Sequence, residues 1–148
     1  MSRLHRILHP SDFSRASGAA FTRALAMAKA DRAKLLLVHV LAPPVLMAGD
    51  GYMSPRIYED LEASARSYAQ KRLTALRTKA RKAGVKAATL LLDGIAPERI
   101  ARAAKSKKAD LIVIGTHGRT GLAKLFLGSV ASRVLAAARC PVMTVRGK

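Results

Sequence analysis

The sequence is poor in residues that cross-link, stack or neutralise. A single cysteine, Cys140, in 148 residues excludes a disulfide framework and a cysteine-rich metal site. It fits a reducing compartment, so a cytoplasmic protein is expected. Tryptophan is absent and aromatics make up 4% of the chain, which leaves few platforms for stacking single-stranded nucleic acid. Only 9 residues are Asp or Glu, and neither a carboxylate pair nor a Ser-His-Asp spacing stands out for acid-base or nucleophilic chemistry. Long apolar runs are missing too. Leu35 to Val38 and Leu111 to Ile114 fall far short of the roughly 20 residues that span a bilayer. At the N-terminus, MSRLHRILHPSDFS breaks any apolar run with charges and a proline, so no export signal and no membrane insertion are expected.

What is present is apolar and basic. Half of the residues are hydrophobic, and 27 Lys plus Arg give a net charge of +18. A disordered basic tail would lack that apolar content. The length suits one domain spanning residues 1–148, and the charge favours an anionic partner without naming it.

Short apolar runs alternate with stretches of helical spacing, the pattern of parallel strands joined by crossover helices. Strands are predicted over Arg6–Pro10, Leu35–Val40, Ala87–Leu92, Asp110–Ile114 and Cys140–Val145. Helices are predicted from Ser14 to about Asp31, with Phe21, Leu25 and Ala28 on one face, from Pro97 to about Lys107, and from Ser129 to about Ala138. The longest helix runs from Arg56 to Ala83, with Leu61, Ala65, Tyr68, Leu76 and Ala80 as its apolar stripe and Gly84 as its stop. Residues 43–55, with three prolines and two glycines, are longer than a connector needs and read as a mobile flap. The order βαβαβαβαβ implies an open α/β sheet with helices on both faces.

In such a sheet, ligands bind outside the carboxyl ends of strands where the strand order reverses. Two segments stand at such ends. Pro10-Ser11-Asp12-Phe13-Ser14 follows the first strand, and a segment with Gly115, Gly118, Gly121 and Gly128 follows the fourth. Glycines let main-chain N–H groups approach a ligand's oxygens, and Gly128-Ser129 opens a helix whose N-terminus favours an anion. Phosphate is the natural guest, with Arg119 and His117 nearby in the chain. Ser129 serves either the ligand or its own helix as N-cap, and Asp12 has the same two readings. Neither a P-loop nor a G-x-G-x-x-G fingerprint is present. His5, His9 and His39 read as packing residues, since none of the four histidines has metal-ligand spacing. Cys140 reads as buried and inert.

Gly115-x2-Gly118-x9-Gly128-Ser129 resembles the G-x2-G-x9-G-(S/T) signature of ATP-binding universal stress proteins, and Pro10-Ser11-Asp12-x-Ser14 is similar to that family's first strand end. The resemblance covers essentially the whole chain. It implies a Rossmann-like sheet of order 3-2-1-4-5 and ATP, or another adenine nucleotide, bound with Mg or Mn on the phosphates. Asp12, with Pro10 and Ser11 beside it, would hold the adenosine part, and Val40 would contact adenine through its backbone. Ile114 would be a further nucleotide-binding position, Gly115, Thr116, His117, Gly118 and Arg119 would wrap the ribose and phosphates, and Gly128, Ser129 and Val130 would take the phosphates. A homodimer through the fifth strand, Val142, Met143, Thr144 and Val145, is implied as well. Hydrolysis would be slow or absent. Gly94-Ile95-Ala96-Pro97 departs from the family's usual G-x-P by placing its proline one residue later.

Most of the positive charge lies elsewhere. Eight basic residues and no acid fall between Arg66 and Lys86, and Arg99 to Lys108 adds five more. These runs read either as solvated helix faces or as a non-specific polyanion or nucleic-acid surface along helix 66–86, in which case the crevice would be vestigial.

Overall fold

The computed structural model describes residues 3–43, 54–116 and 128–147. In chain order the elements are β1 (Arg6–Pro10), α1 (Arg15–Asp31), β2 (Lys34–Leu41), α2 (Pro55–Lys82), β3 (Ala87–Asp93), α3 (Ala96–Ser106), β4 (Leu111–Gly115), α4 (Ser129–Ala137) and β5 (Val142–Val145). The five strands form one parallel sheet in the order β3-β2-β1-β4-β5, as expected. The 43–55 loop lies outside the described residues from 44 to 53. Among the described residues, no helix is long and apolar enough to cross a membrane.

Alternation along the central strands builds two cores. Ile7, Leu35, Leu37 and Val113 face α1 and α2, where they meet Phe21, Ala24 and Leu73. Leu8, Leu36, Val38, Ile112 and Ile114 face α3 and α4, where they meet Ile100, Ala103 and Val134. Ile7, Leu8, Leu35, Leu37 and Ile112 are fully buried, and each contributes roughly 1.5–3 kcal/mol of transfer free energy. Local signals set the helix ends. Ser14 caps α1 by accepting from Ser17 N at 3.2 Å, and Ser54 caps α2 by accepting from Ile57 N. Gly84, at φ +85°, follows the C-cap Ala83 and ends α2 as predicted.

Two expectations need correction. The α2 stripe is only partly buried: Leu61 and Tyr68 are about half exposed, and the buried positions are Ala69, Leu73 and Ala80. Length explains this, because a 28-residue helix extends about 42 Å while a strand of eight residues covers about 26 Å. The N-terminal half of α2 therefore overhangs the sheet. The last strand begins at Val142 rather than Cys140. Pro141 contributes only its carbonyl, which accepts from Ile112 N at 3.0 Å. Cys140 is half-buried rather than buried, and desolvation pushes its thiol pKa up.

Closeness, not torsion, dictates one glycine. A Cβ on Gly115 would lie 2.7 Å from the backbone carbon and oxygen of Ala16 in the first turn of α1, and one on Gly147 would lie 2.7 Å from the Cα of the same residue. The end of β4 and the chain after β5 thus grip α1 at a single alanine.

His9 is fully buried on β1, with Nδ1 2.9 Å from the Val113 carbonyl and Nε2 without a partner among the described residues. Desolvation lowers its pKa from 6.5 to about 4 against the opposing effects of the Val113 bond and the Asp12 charge. The ring is held neutral in the folded state, so Nδ1–H donates to Val113. The unfolded chain binds a proton at this site below about pH 6.5 and the folded chain does not, so stability falls as pH drops from 6.5 towards 4. A loss of about 3 kcal/mol across that window is expected from His9. Urea unfolding of the wild type and of His9→Asn at pH 7 and 4.5 checks it, since the variant should lack this part of the pH dependence. Separately, Gly115→Ala should destabilise the fold by about 1–3 kcal/mol through overpacking against Ala16. Wild-type stability for that variant would remove the close-approach explanation.

Candidate functional site

The chain builds outward from β1 to β2 and β3, then returns to place β4 on the other side of β1, so the strand order reverses between β1 and β4. A cavity of about 320 Å³ opens there, within the range of small-molecule sites. Its lining gathers Pro10, Ser11 and Asp12 after β1, Val40 on β2, Ile114, Gly115 and Thr116 at the end of β4, and Gly128, Ser129 and Val130 at the start of α4. These ten predicted positions therefore meet in one crevice. His117, Gly118, Arg119 and Gly121 lie outside the described residues. Val142 to Val145 sit at the sheet edge beyond β4 and do not line the cavity.

The turn after β1 is held by a dense hydrogen-bond network. Asp12 Oδ1 accepts from Ser14 N at 2.9 Å and from Ser17 Oγ at 2.7 Å, while Asp12 N donates to Ser17 Oγ at 3.2 Å. Ser11 Oγ accepts from Phe13 N, and the Ser11 carbonyl lies 2.7 Å from His39 Nδ1. These bonds hold Phe13 at φ 65°, a left-handed conformation that costs a non-glycine residue about 1–2 kcal/mol. Phe13 also stacks on His39 with centroids 4.5 Å apart, and Arg72 lies over its ring. Asp12 is not the cap of α1, a place that Ser14 takes; it bonds the turn through Oδ1 and lines the cavity. Desolvation raises its pKa, but the bonds from Ser14 and Ser17 outweigh this and hold it below the usual carboxylate range. The group is ionised at neutral pH and can only accept hydrogen bonds.

The opposite wall is the N-terminus of α4. Gly128, not Ser129, occupies the cap position, with no side-chain cap. The Gly128 N–H donates to the Thr116 carbonyl at 2.6 Å, which leaves the N–H groups of Ser129, Val130 and Ala131 without partners among the described residues. Ser129 is exposed and caps nothing, and its hydroxyl has no partner among the described residues. Gly115 has a structural duty towards α1 as well as a place in the lining. The expected helix start near Pro97 moves to Ala96, which puts the proline in the first turn of α3 and Ala96 on the cavity wall.

Sequence reasoning missed Ser17, Val38, His39, Ala96, Ile100 and Ala131, which also line the cavity. Ser17 was accessible through its three-residue spacing from the cap Ser14, and Ala96 with Ile100 through their four-residue step on one helix face. His39 and Val38 carry no sequence signal beyond their strand.

The cavity therefore combines apolar walls, an ionised acceptor at the β1 turn and partnerless N–H groups at a helix N-terminus. A ligand carrying hydroxyl or amino donors, an apolar face and an anionic group matches that arrangement. No group of three or more metal-binding side chains occurs among the described residues, and Asp12 is the one carboxylate in the lining.

The model of the universal stress protein family matches residues 3–146. A universal stress protein of Methanocaldococcus jannaschii is 36% identical over 143 residues, covering 95% of this chain and 81% of that protein. Among solved structures, a universal stress protein of Lactobacillus plantarum superposes with a TM-score of 0.76 at 28% identity, covering 99% of this chain and 100% of the other. A universal stress protein crystallised in complex with cAMP superposes with a TM-score of 0.73 at 25% identity, over 99% of this chain and 100% of that one. The chain belongs to the universal stress protein family.

Proposed function

We propose that this chain, as a single domain, binds an adenine nucleotide, with ATP as the intended ligand, and works as a cytoplasmic, homodimeric regulatory module with little or no hydrolysis. The observation that carries this reading is the uncapped N-terminus of α4 placed across one cavity from the ionised Asp12. Phosphate would accept from the N–H groups of Ser129 and Val130 and from the Ser129 hydroxyl. Asp12 would accept from ribose hydroxyls, and Pro10, Val40 and Ile114 would frame the base. The cAMP complex of a family member supports a nucleotide in this fold. Mg or Mn would arrive on the nucleotide phosphates, because the described lining supplies a single carboxylate. That carboxylate, with its lowered pKa and its bonds to Ser14 and Ser17, is a poor general base, which favours binding over turnover.

The dimer would form at β5, the edge strand, where Thr144 is exposed and Val142, Met143 and Val145 are half-buried. The alternative, a polyanion-binding protein with a vestigial crevice, would leave the open α4 terminus and the buttressed Asp12 without a role.

Equilibrium titration with ATP, AMP and cAMP in the presence of magnesium tests the proposal. Saturable binding is expected, weakened about tenfold by Asp12→Asn, which keeps the Oδ1 acceptor but removes the charge, and two- to tenfold by Ser129→Ala. Absence of saturable binding at millimolar nucleotide would sink it. Sedimentation should give a dimer for the wild type and a monomer for Thr144→Lys.

A further inference from the structure

All five strands are parallel and all helices return against them, so the C-termini of α1, α2, α3 and α4 emerge at the edge of the sheet opposite the cavity. The basic residues that seem scattered in sequence converge there. Lys29 and Arg32 close α1, and Lys79, Arg81 and Lys82 close α2. Lys105, Lys107 and Lys108 close α3. Between them, the strand starts contribute a row of cations. Arg6 pairs with Lys34 across β1 and β2, Leu35 N donates to the Lys86 carbonyl at 2.8 Å, and Asp110 N donates to the Arg6 carbonyl at 2.8 Å. With strands about 4.8 Å apart, the row from β3 to β1 extends about 10 Å.

Two carboxylates share this face, and backbone amides engage both. Asp31 Oδ2 accepts from Leu4 N, and Asp110 Oδ2 accepts from His5 N and Arg6 N. The other described carboxylates, including Asp12, Asp93, Glu98 and Glu62, follow strand ends or lie in the first half of a helix, towards the cavity. Among the described residues, both ion pairs belong to Arg66, so none of the cations on this face forms a close ion pair, and the charge of Asp110 attracts only Arg6 and His5.

Complementing the helix dipoles does not account for the excess. Four helix C-termini supply about half a negative charge each, roughly −2 in all, and the cations named outnumber that several-fold. Like charges side by side on Arg6, Lys34 and Lys86 also disfavour the fold unless an external anion screens them.

We propose that this face binds the phosphate backbone of duplex nucleic acid without reading its sequence. A stacked single strand lacks a platform here, because the described aromatics Phe13, Phe21, Tyr58 and Tyr68 all lie elsewhere. An acidic membrane would call for several apolar side chains to enter it, yet the exposed large hydrophobics Ile57, Leu61, Tyr68, Ile95 and Val130 lie away from this edge, and Leu135 in the last turn of α4 stands there alone among the described residues. Exposed lysines and arginines along a row match what a phosphate backbone requires. The surface differs from the outer face of helix 66–86 suggested by the sequence, because it draws on α1, α3 and the strand starts as well as the end of α2.

Fluorescence anisotropy with a short labelled DNA duplex, using the full chain, tests the proposal. Binding at about 50 mM salt should weaken steeply towards 200 mM. The triple variant Lys34→Gln/Lys82→Gln/Lys86→Gln should lower the slope of log affinity against log salt by about 2 to 3. An equal-charge control, Arg15→Gln/Arg23→Gln/Arg133→Gln, should keep most of the wild-type slope, with thermal melts verifying that both variants fold. Three results would overturn the proposal: no duplex binding at the low salt, equal losses in both variants, or binding to phosphatidylserine vesicles but not to the duplex.

Discussion

Parallel strand direction is the constraint on which the rest of this structure depends. Once β1 to β5 run the same way, every returning helix must present its N-terminus at one edge of the sheet and its C-terminus at the other. The cavity forms where α4 begins and β1 ends, at the edge rich in partnerless N–H groups. The opposite edge receives helix C-termini, whose partial negative charge tolerates lysine and arginine. Charge thus segregates along the strand axis, with Asp12 and most carboxylates near the cavity and the densest cations at the far end.

The crevice is built from groups that give up local comfort. Phe13 sits at a positive φ, and α4 starts on a glycine with no side-chain cap. The first cost is offset by bonds among Ser11, Asp12, Ser14 and Ser17 and by the stack of Phe13 on His39. The second is small, since glycine at the cap position costs only a few tenths of a kcal/mol relative to a capping side chain. In exchange the N–H groups of Ser129, Val130 and Ala131 remain open towards a ligand. Gly115 links this region to the core, because its missing Cβ lets α1 approach β4 at Ala16 and so brings Ser17 to the cavity wall.

Much of this was legible beforehand, for identifiable reasons. The runs around Leu35–Val38 and Leu111–Ile114 are apolar on both faces, which marks central parallel strands, and Ser14 and Gly84 mark the start of α1 and the end of α2. Strand ends and glycine spacing point to Pro10, Ser11, Asp12, Gly115, Gly128 and Ser129, and the family resemblance adds Val40, Ile114, Thr116 and Val130. Less legible was anything that depends on how far an element extends. The apolar stripe of α2 does not reveal that Leu61 and Tyr68 pass beyond the sheet, and Ile100 and Ala131 become cavity walls only when α3 packs beside α4.

Sequence by itself determined the order and type of the elements and, through the glycine spacing, the family whose resemblance implies where the strand order reverses, because periodicity, caps and glycine spacing are local properties of the chain. Tertiary structure decided which duties those residues carry. Only packing gives Gly115 an alanine backbone to accommodate, gives Asp12 the two donors that keep it ionised, and buries His9 as a neutral ring. Only the shared direction of the strands assembles cations from three helix ends and three strand starts onto one face. Contacts and fields of this kind depend on distance in space, which spacing along the chain does not encode.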